Sequence, residues 1–312
     1  MNAGFAPLTR CWVCGGGSLA PLFEARFELS AFAGQDPPLA AYSGEPIGIR
    51  RCTACGFAQP AALPALDRYF DRIYDQRWAG HWVEAEHTAT YKDDIFARVL
   101  AALDARVPPR RPGEAPARRL LDVGAHAGRL MSLAQRAGWG VEGIELNPRT
   151  AAQAAASTGA LVHHGNIFST EPRAPFDAVT LIDVLEHIPD PLCALRRVAG
   201  WIRPGGAIVI KVPNGAAQRL KELARARVRP GYRPTLADNL VHVNHFTPAS
   251  LRLALERTGF TDARVTAAAP EMPEKGRLDR AVRRAVFFAA RVTPGALSTP
   301  LALNLQAIAT RV

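Results

Sequence analysis

Long apolar segments, a recognisable leader and internal repeats are all missing from this sequence. The uncharged stretches at residues 150–170 and 292–310 are interrupted by polar residues, glycine or proline, so neither resembles the run of about 20 apolar residues that crosses a bilayer. The first ten residues, MNAGFAPLTR, have no basic segment followed by an apolar one, and no signal peptide is expected. These absences argue against a membrane-spanning, secreted or solenoid protein, and we expect a cytoplasmic one.

Lysine is scarce. Only Lys92, Lys211, Lys221 and Lys275 contribute to the 38 basic residues, which outnumber 28 acidic ones and give a net charge of +10. The excess is therefore arginine, which suits recognition of phosphate and carboxylate groups. A GC-rich coding sequence also enriches arginine and alanine without any functional cause, and composition leaves both interpretations open. With 48% hydrophobic residues in 312, global disorder is excluded.

Cysteine is rare but paired, since four of the five cysteines form two Cys-x-x-Cys units with 37 residues between them. Each unit is followed by glycine, and four thiolates of this kind can surround a zinc ion tetrahedrally. We therefore predict a structural zinc site at Cys11, Cys14, Cys52 and Cys55. A redox dithiol needs one such unit rather than two, and the clustering near one end argues against a disulfide scaffold. Cys193 stands alone.

Composition divides the chain into three parts. Residues 1–65 contain the cysteine pairs and form the predicted zinc-binding module. Residues 66–112 form a helical lid and linker that ends in a segment rich in proline and arginine. Residues 113–312 alternate strand and helix patterns, with strands at 119–123, 140–146, 160–163, 176–183, 207–213, 263–269 and 303–311. Strands separated by helices predict an α/β fold with a mostly parallel sheet covered on both faces.

A glycine turn follows the first strand of that third part. Asp122 ends the strand, and the turn runs from Gly124 through Ala125 to Gly128 before a helix begins. Glycines and a helix N-terminus allow the backbone to approach a ligand closely. Glu145 ends the next strand, where a carboxylate can accept both hydroxyls of a ribose. The spacing is not the G-x-G-x-x-G of nicotinamide binders, and it favours a nucleoside with a cationic or amino-acid part.

The sequence resembles the class I S-adenosylmethionine-dependent methyltransferases. Five segments carry the resemblance in order over residues 115–269: LLDVGAHAGRL, GIELNP, FDAVTLIDVLEHIPDP, IRPGGAIVIKVPN and HVNHFTPASLRLALERTGF. The cysteine-pair module resembles a zinc-binding domain of sugar-modifying methyltransferases. The resemblance implies a Rossmann-like, mostly parallel seven-stranded sheet whose last strands are antiparallel, with S-adenosylmethionine as cofactor.

The resemblance also implies a set of cofactor contacts. The turn lines the methionine end of the cofactor, Asp122 holds its amino group, Glu145 its ribose, and the segment GNIF its adenine. The residues expected to bind the cofactor are Asp122, Gly124, Ala125, Gly128, Glu145, Leu146, Asn166, Ile167 and Asp183. Two departures from the family pattern are His126 in place of glycine, which is expected to affect turnover more than fold, and Asn166 in place of the more frequent aspartate.

Four histidines are candidates for the chemistry or its surroundings. His187 follows the fourth strand of the third part, beside the expected methyl group, and its ordinary pKa suits a general base; a structural or substrate-positioning role is the alternative. Glu186 is expected either to orient it or to form a local hydrogen bond. His242 and His245 either reach the substrate or cap a loop, and a metal site formed with His187 lacks an evident acidic ligand. A last group, Tyr74, Trp78, His81 and Trp82, suits core packing better than a lid.

Two segments bear on partners. Residues 219–233 contain six basic residues and one glutamate, which suits a nucleotide-linked sugar, an anionic lipid or nucleic acid, or else a solvated helix. Residues 277–292 are amphipathic and suit a membrane surface, the protein core or a second subunit. The leading hypothesis is methyl transfer to a small molecule, either a sugar or another glycan-pathway intermediate. An RNA methyltransferase and a non-catalytic cofactor-binding scaffold are the alternatives.

Overall fold

The computed structural model describes residues 4–77, 90–108, 117–229, 242–272, 276–299 and 301–312. Within these ranges no helix has the length and apolar character needed to cross a membrane. The side chain of Tyr74, together with Trp78, His81 and Trp82, lies outside the described residues, as does the end of the basic segment after residue 229.

The N-terminal part is built from two small sheets. Its elements are β1 (Phe5–Pro7), β2 (Leu19–Arg26), α1 (Pro37–Ala40), β3 (Pro46–Cys52), β4 (Ala58–Pro60), β5 (Ala62–Pro64) and α2 (Tyr69–Arg77). Strands β2, β3 and β4 form an antiparallel sheet, and β1 pairs with β5. Aromatic and aliphatic side chains such as Phe27, Tyr42 and Tyr69 form a core of their own beneath these sheets.

The remainder contains the predicted α/β unit. Its elements are α3 (Asp93–Arg106), β6 (Arg119–Val123), α4 (Arg129–Arg136), β7 (Gly140–Glu145), α5 (Pro148–Thr158), β8 (Val162–His164), β9 (Phe176–Ile182), α6 (Pro191–Trp201), β10 (Ile202–Pro213), α7 (Gly215–Val228), α8 (Pro248–Glu256), β11 (Phe260–Ala267), α9 (Arg277–Val292) and β12 (Asn304–Arg311). The strand order is β11-β12-β10-β9-β6-β7-β8.

Among the strands of the described residues, β12 runs antiparallel to its neighbours β10 and β11. The mostly parallel seven-stranded sheet is therefore confirmed, and its last two strands pair antiparallel to each other, as the resemblance implies. Strand β10 also begins at Ile202 rather than at residue 207, because its first residues pair with Phe176 of β9 before a register shift.

Helices cover both faces of the sheet, as expected for strands that are apolar on both sides. Along β10, Ile208, Ile210 and Val212 pack with residues of α6 and α8, whereas Val209 packs with residues of α3 and α4. This alternation follows from the two-residue period of a strand. It leaves the loops after the parallel strands along one edge of the sheet, where ligands bind in open α/β folds.

Candidate functional site

A cavity of about 830 Å³ opens at the carboxyl ends of β6, β7, β9 and β10. It lies where the strand order reverses on either side of β6, the position at which such sheets bind their ligands. Eight of the nine residues expected to bind a cofactor line it, namely Asp122, Gly124, Ala125, Glu145, Leu146, Asn166, Ile167 and Asp183. We call the part formed by the turn 124–128, Glu145 and residues 165–168 the cofactor end.

The glycine turn is held tightly against neighbouring segments. The backbone N–H groups of Gly124 and Ala125 donate to the carbonyl of Ile144 at 2.8 and 3.0 Å. Gly124 has φ +78°, and a Cβ at this position would lie 2.3 Å from Cγ2 of Val184. Only glycine combines this backbone conformation with such a close approach. His126 also has a positive φ, 49°. It borders the cavity, and it is the residue at which this chain departs from the glycine of the family pattern.

Gly128 does not line the cavity, unlike the other predicted cofactor residues. It has φ +82°, and a Cβ there would lie 3.0 Å from Cα of Ala154 in α5. Its small size therefore permits α4 to begin against α5. The structure shows Gly128 in helix packing, and its contact with a cofactor stays a prediction.

Two buried carboxyl groups flank the turn. Glu145 accepts the backbone N–H of His126 at 2.8 Å on one oxygen and that of Asn147 at 2.9 Å on the other. Asp122 accepts the hydroxyl of Thr180 at 2.8 Å. Burial raises the pKa of Asp122 to about 7, although the hydrogen bond from Thr180 opposes this shift.

The segment 165–168 closes the cofactor end. The side-chain oxygen of Asn166 accepts the backbone N–H groups of Phe168 and Ser169 at 2.8 and 3.0 Å, so this oxygen caps its own turn. Ile167 is buried, whereas Phe168 is 47% exposed and borders the cavity. Sequence analysis missed Phe168, although an aromatic residue next to a predicted adenine contact is a usable signal, because an aromatic ring offers a stacking face.

Asp183 lies in the cavity wall, but its carboxylate is paired with two lysines. Nζ of Lys211 is 2.5 Å from one oxygen, and Nζ of Lys92 is 3.1 Å from the other. Burial alone would raise the pKa of Asp183, but the charges of Lys211 and Lys92 outweigh this effect and lower it to about 2. Sequence analysis missed both lysines, although the signal was their rarity: two of only four in the chain converge here.

Glu186, His187 and His242 also border the cavity and lie together, and we call these three residues the acceptor end. One potential ligand atom from each lies within 4.8 Å of the others, and the two histidine ring centroids are 4.7 Å apart. The view that no acidic ligand accompanies these histidines was therefore wrong. Glu186 is 1% exposed, and burial together with the charge of Asp183 raises its pKa to about 8.

Backbone hydrogen bonds join the two segments that carry the acceptor end. The carbonyl of Glu186 accepts the N–H groups of Val243 and Asn244 at 2.8 and 3.0 Å. The side-chain amide of Asn244 donates to the carbonyls of Leu185 and Ile188, both at 2.7 Å. These bonds fix the single 3₁₀ turn Leu185–His187 against residues 242–244.

The same segment continues into the N-terminal module. The N–H groups of Ala58 and His245 donate to each other's carbonyls at 3.1 and 2.9 Å, and the rings of Phe57 and Phe246 pack with centroids 5.0 Å apart. His245 is buried and contacts Oε1 of Gln218 through Nδ1 at 3.0 Å. Burial lowers the pKa of His245 to about 4. His245 therefore supports the segment and does not border the cavity.

The four paired cysteines converge as expected for a metal site. Their sulfurs all lie within 4.8 Å of one another, with Cys11 to Cys55 at 3.6 Å and Cys14 to Cys52 at 3.4 Å. Ligands about 2.3 Å from a tetrahedral zinc ion are about 3.8 Å apart, so the arrangement fits zinc. The glycine after each pair, Gly15 and Gly56, has a positive φ. Cys193 is exposed and lies apart from this cluster.

One of the two segments considered for partners, residues 277–292, borders this site. Arg219, Arg225, Arg227 and Arg229 are exposed on or just after α7. Helix α9 exposes Leu278 and Phe288, while its Arg283 borders the cavity. Arg283 thus places a positive charge on the cavity wall, whereas these arginines on or just after α7 are exposed to solvent.

Comparisons with known proteins agree with this geometry. The model of the methyltransferase domain family Methyltransf_23 matches residues 66–265. A ubiquinone biosynthesis O-methyltransferase from Xanthomonas campestris is 32% identical over 106 residues, which are 32% of this chain and 44% of that protein. The Caulobacter vibrioides enzyme of the same name is 33% identical over 145 residues, 44% of this chain and 56% of that one. The chain thus spans about half the length of these relatives.

The fold has a counterpart among solved structures. A chain in the complex between the Haloferax volcanii Trm112 methyltransferase activator and a methyltransferase superposes with a TM-score of 0.50 and 16% identity. The match covers 79% of this chain and 99% of that one. It supports the sheet architecture.

Proposed function

This chain belongs to the methyltransferase domain family, and we propose that it transfers a methyl group from S-adenosylmethionine to a small-molecule acceptor. The observation that carries the proposal is the convergence of eight separately predicted cofactor residues on one cavity that also contains His187. The resemblance to the family indicated these residues along the chain, and the fold brings them to one cavity.

The cofactor end fits the parts of S-adenosylmethionine. Each oxygen of Glu145 accepts one backbone N–H, and a carboxylate oxygen has a second acceptor site that a ribose hydroxyl can fill. Phe168 offers a ring face to adenine. Asp122, with its pKa near 7, becomes a full anion when an ammonium group binds beside it. The cofactor supplies an electrophilic methyl group on a sulfonium.

The acceptor end has the groups that a nucleophile requires. As the acceptor's O–H bond breaks, its proton leaves, and the oxygen forms a bond to the methyl carbon. The carbon–sulfur bond breaks at the same time, and its electron pair stays on sulfur. We propose that His187 promotes loss of the acceptor's proton, and that Glu186 and His242 orient it. Alignment of the two ends supplies much of the rate enhancement.

The acceptor is proposed to be a hydroxyl-bearing small molecule. The relatives bear the name of O-methyltransferases, which supports oxygen as the methylated atom. The sugar or glycan acceptor rests on the resemblance of the cysteine module alone and stays a prediction. We propose that the module binds structural zinc through Cys11, Cys14, Cys52 and Cys55 and supports the acceptor end through Ala58 and Phe57.

Calorimetric titration with S-adenosylmethionine, followed by an acceptor screen with methyl-labelled cofactor, tests this function. We expect one cofactor per chain and labelled product from a hydroxylated acceptor. The His187→Ala variant should keep cofactor affinity and lose about 100-fold or more in kcat. The exposed His164→Ala variant is the matched control. Failure of the wild-type protein to bind the cofactor would reject the proposal, and unchanged turnover in His187→Ala would remove His187 from it.

A further inference from the structure

The acceptor end has the composition and spacing of a metal site. Two imidazoles and one carboxylate supply ligand atoms that all lie within 4.8 Å of one another. Two nitrogen or oxygen ligands about 2.2 Å from a common ion lie at most about 4.4 Å apart. Side-chain movements of about half an ångström therefore suffice to bring Glu186, His187 and His242 onto one cation.

Glu186 supplies the second observation. Its Oε2 is buried and accepts no hydrogen bond from the described residues, a rare state for a buried carboxyl oxygen. The nearby lysines do not form an ion pair with Glu186 among the described residues, because Lys92 and Lys211 are both paired with Asp183. Glu186 borders the cavity, and a buried carboxyl oxygen without a hydrogen-bond partner among the described residues suits a cation when two imidazoles lie beside it.

The surroundings hold these ligands in place. The carbonyl of Glu186 is bonded to the N–H groups of Val243 and Asn244, so the turn bearing Glu186 and His187 stays next to His242. Gln218 also contacts His242, because its side-chain nitrogen lies 3.4 Å from Nδ1 of the ring.

We infer that Glu186, His187 and His242 bind one divalent transition-metal ion, distinct from the zinc of the four-cysteine cluster. Two imidazoles and one carboxylate leave open coordination positions, and all three residues border the cavity. The open positions therefore face the acceptor. Such an ion would bind oxygen-rich acceptors, above all those with two adjacent hydroxyl groups.

This inference rests on the proposed methyl transfer and specifies how His187 promotes loss of the proton. A bound cation lowers the pKa of a hydroxyl close to it, and the proton then leaves to solvent. His187 acts here as a ligand of the ion. If the ion is absent, the direct role of His187 as general base is restored.

Manganese binding to the zinc-loaded protein tests the inference. Mn²⁺ prefers nitrogen and oxygen ligands over thiolates, so it leaves the cysteine site intact, and free Mn²⁺ is measured by electron paramagnetic resonance. We expect one Mn²⁺ per wild-type chain and at least about tenfold weaker binding in Glu186→Gln and His242→Ala, since even outer-shell changes cost this much. The controls Glu256→Gln and His164→Ala, both exposed, should match the wild type.

Zinc content and circular dichroism verify that each variant is folded. Because His242 is only half-buried, His242→Ala alone is used to test the metal site if Glu186→Gln fails to fold. No Mn²⁺ uptake, or equal uptake in the wild type and both ligand variants, would overturn the inference. Calorimetry with S-adenosylmethionine on the same samples separates the two proposals. Cofactor binding without Mn²⁺ binding rejects only the metal site, whereas loss of cofactor binding in the wild type rejects the proposed function.

Discussion

The two ends of the cavity are assembled differently. The cofactor end comes from three successive connections of one sheet, at residues 124–128, 145–146 and 165–168, and each follows a parallel strand. The acceptor end joins Glu186 and His187 to His242, which is more than 50 residues away, and through His245 to Ala58 of the N-terminal module. Local strand-to-helix geometry thus builds the first end, whereas long-range contacts build the second. Disruption of the module should therefore affect the two ends unequally.

Removal of a zinc ligand is expected to have the largest effect, and to disrupt the acceptor end more than the cofactor end. Structural zinc contributes roughly 10–16 kcal/mol in small zinc domains, so Cys14→Ser should unfold the N-terminal module. Residues 242–246 then lose their hydrogen bonds to Ala58 and their packing against Phe57. We expect zinc content and methyl transfer to be lost while affinity for S-adenosylmethionine stays close to the wild-type value.

The exposed Cys193→Ser substitution is the matched control, because Cys193 lies outside the cysteine cluster. Zinc analysis, thermal unfolding and cofactor titration on the two variants give the comparison. Equal loss of cofactor affinity and methyl transfer in Cys14→Ser would show that the two ends are not separable.

The same contrast explains which parts could be predicted from the sequence. The strand at Arg119–Val123 has the predicted bounds, because an apolar run followed by a glycine turn is a local signal. The crowding that requires Gly124 is not visible locally, since it comes from Val184 after β9. Eight of the nine predicted cofactor residues line one cavity, and their contacts with a cofactor stay a prediction.

The acceptor end could be predicted only in part. His187 was identified from its place after a strand, but its contact with His242 joins residues more than 50 positions apart. The ion pairs of Asp183 with Lys92 and Lys211 likewise join residues 91 and 28 positions apart. No local pattern specifies such pairs. The packing of Gly128 against Ala154 could not be predicted for a related reason, because it depends on how α4 packs against α5.

The next prediction concerns Asp122, which borders the cavity, and the pH dependence of stability that it causes. Asp122 has a pKa of about 7 in the folded protein because it is buried, well above its ordinary value near 3.9. A group whose pKa rises on folding stabilises the folded state. This contribution is fully present at pH values below the pKa of the unfolded chain, and it is lost as the pH rises through the pKa of the folded protein. As the pH rises from 4 to 7, titration of Asp122 should therefore lower the free energy of unfolding by on the order of 4 kcal/mol.

The Asp122→Asn variant removes this dependence. Urea unfolding from pH 4 to 8 should show that the wild type loses stability relative to the variant up to about pH 7 and not beyond. Glu186, whose pKa is also raised, titrates in both proteins and cancels in the difference. A pH-independent difference between the two proteins would contradict the assignment of the raised pKa to Asp122.

Substitution of Glu145 by glutamine should have the smallest effect and sharpen the contrast from the cofactor side. Glutamine keeps one acceptor oxygen of two, so either the N–H of His126 or that of Asn147 loses its partner, and the negative charge beside the ribose is lost. We expect the Kd for S-adenosylmethionine to rise about tenfold, which corresponds to about 1.4 kcal/mol. Because the acceptor end is untouched, kcat at saturating cofactor should equal that of the exposed control Glu256→Gln. A lower kcat with unchanged Kd would instead place Glu145 in the transfer step, and the division of the cavity into two ends would be wrong.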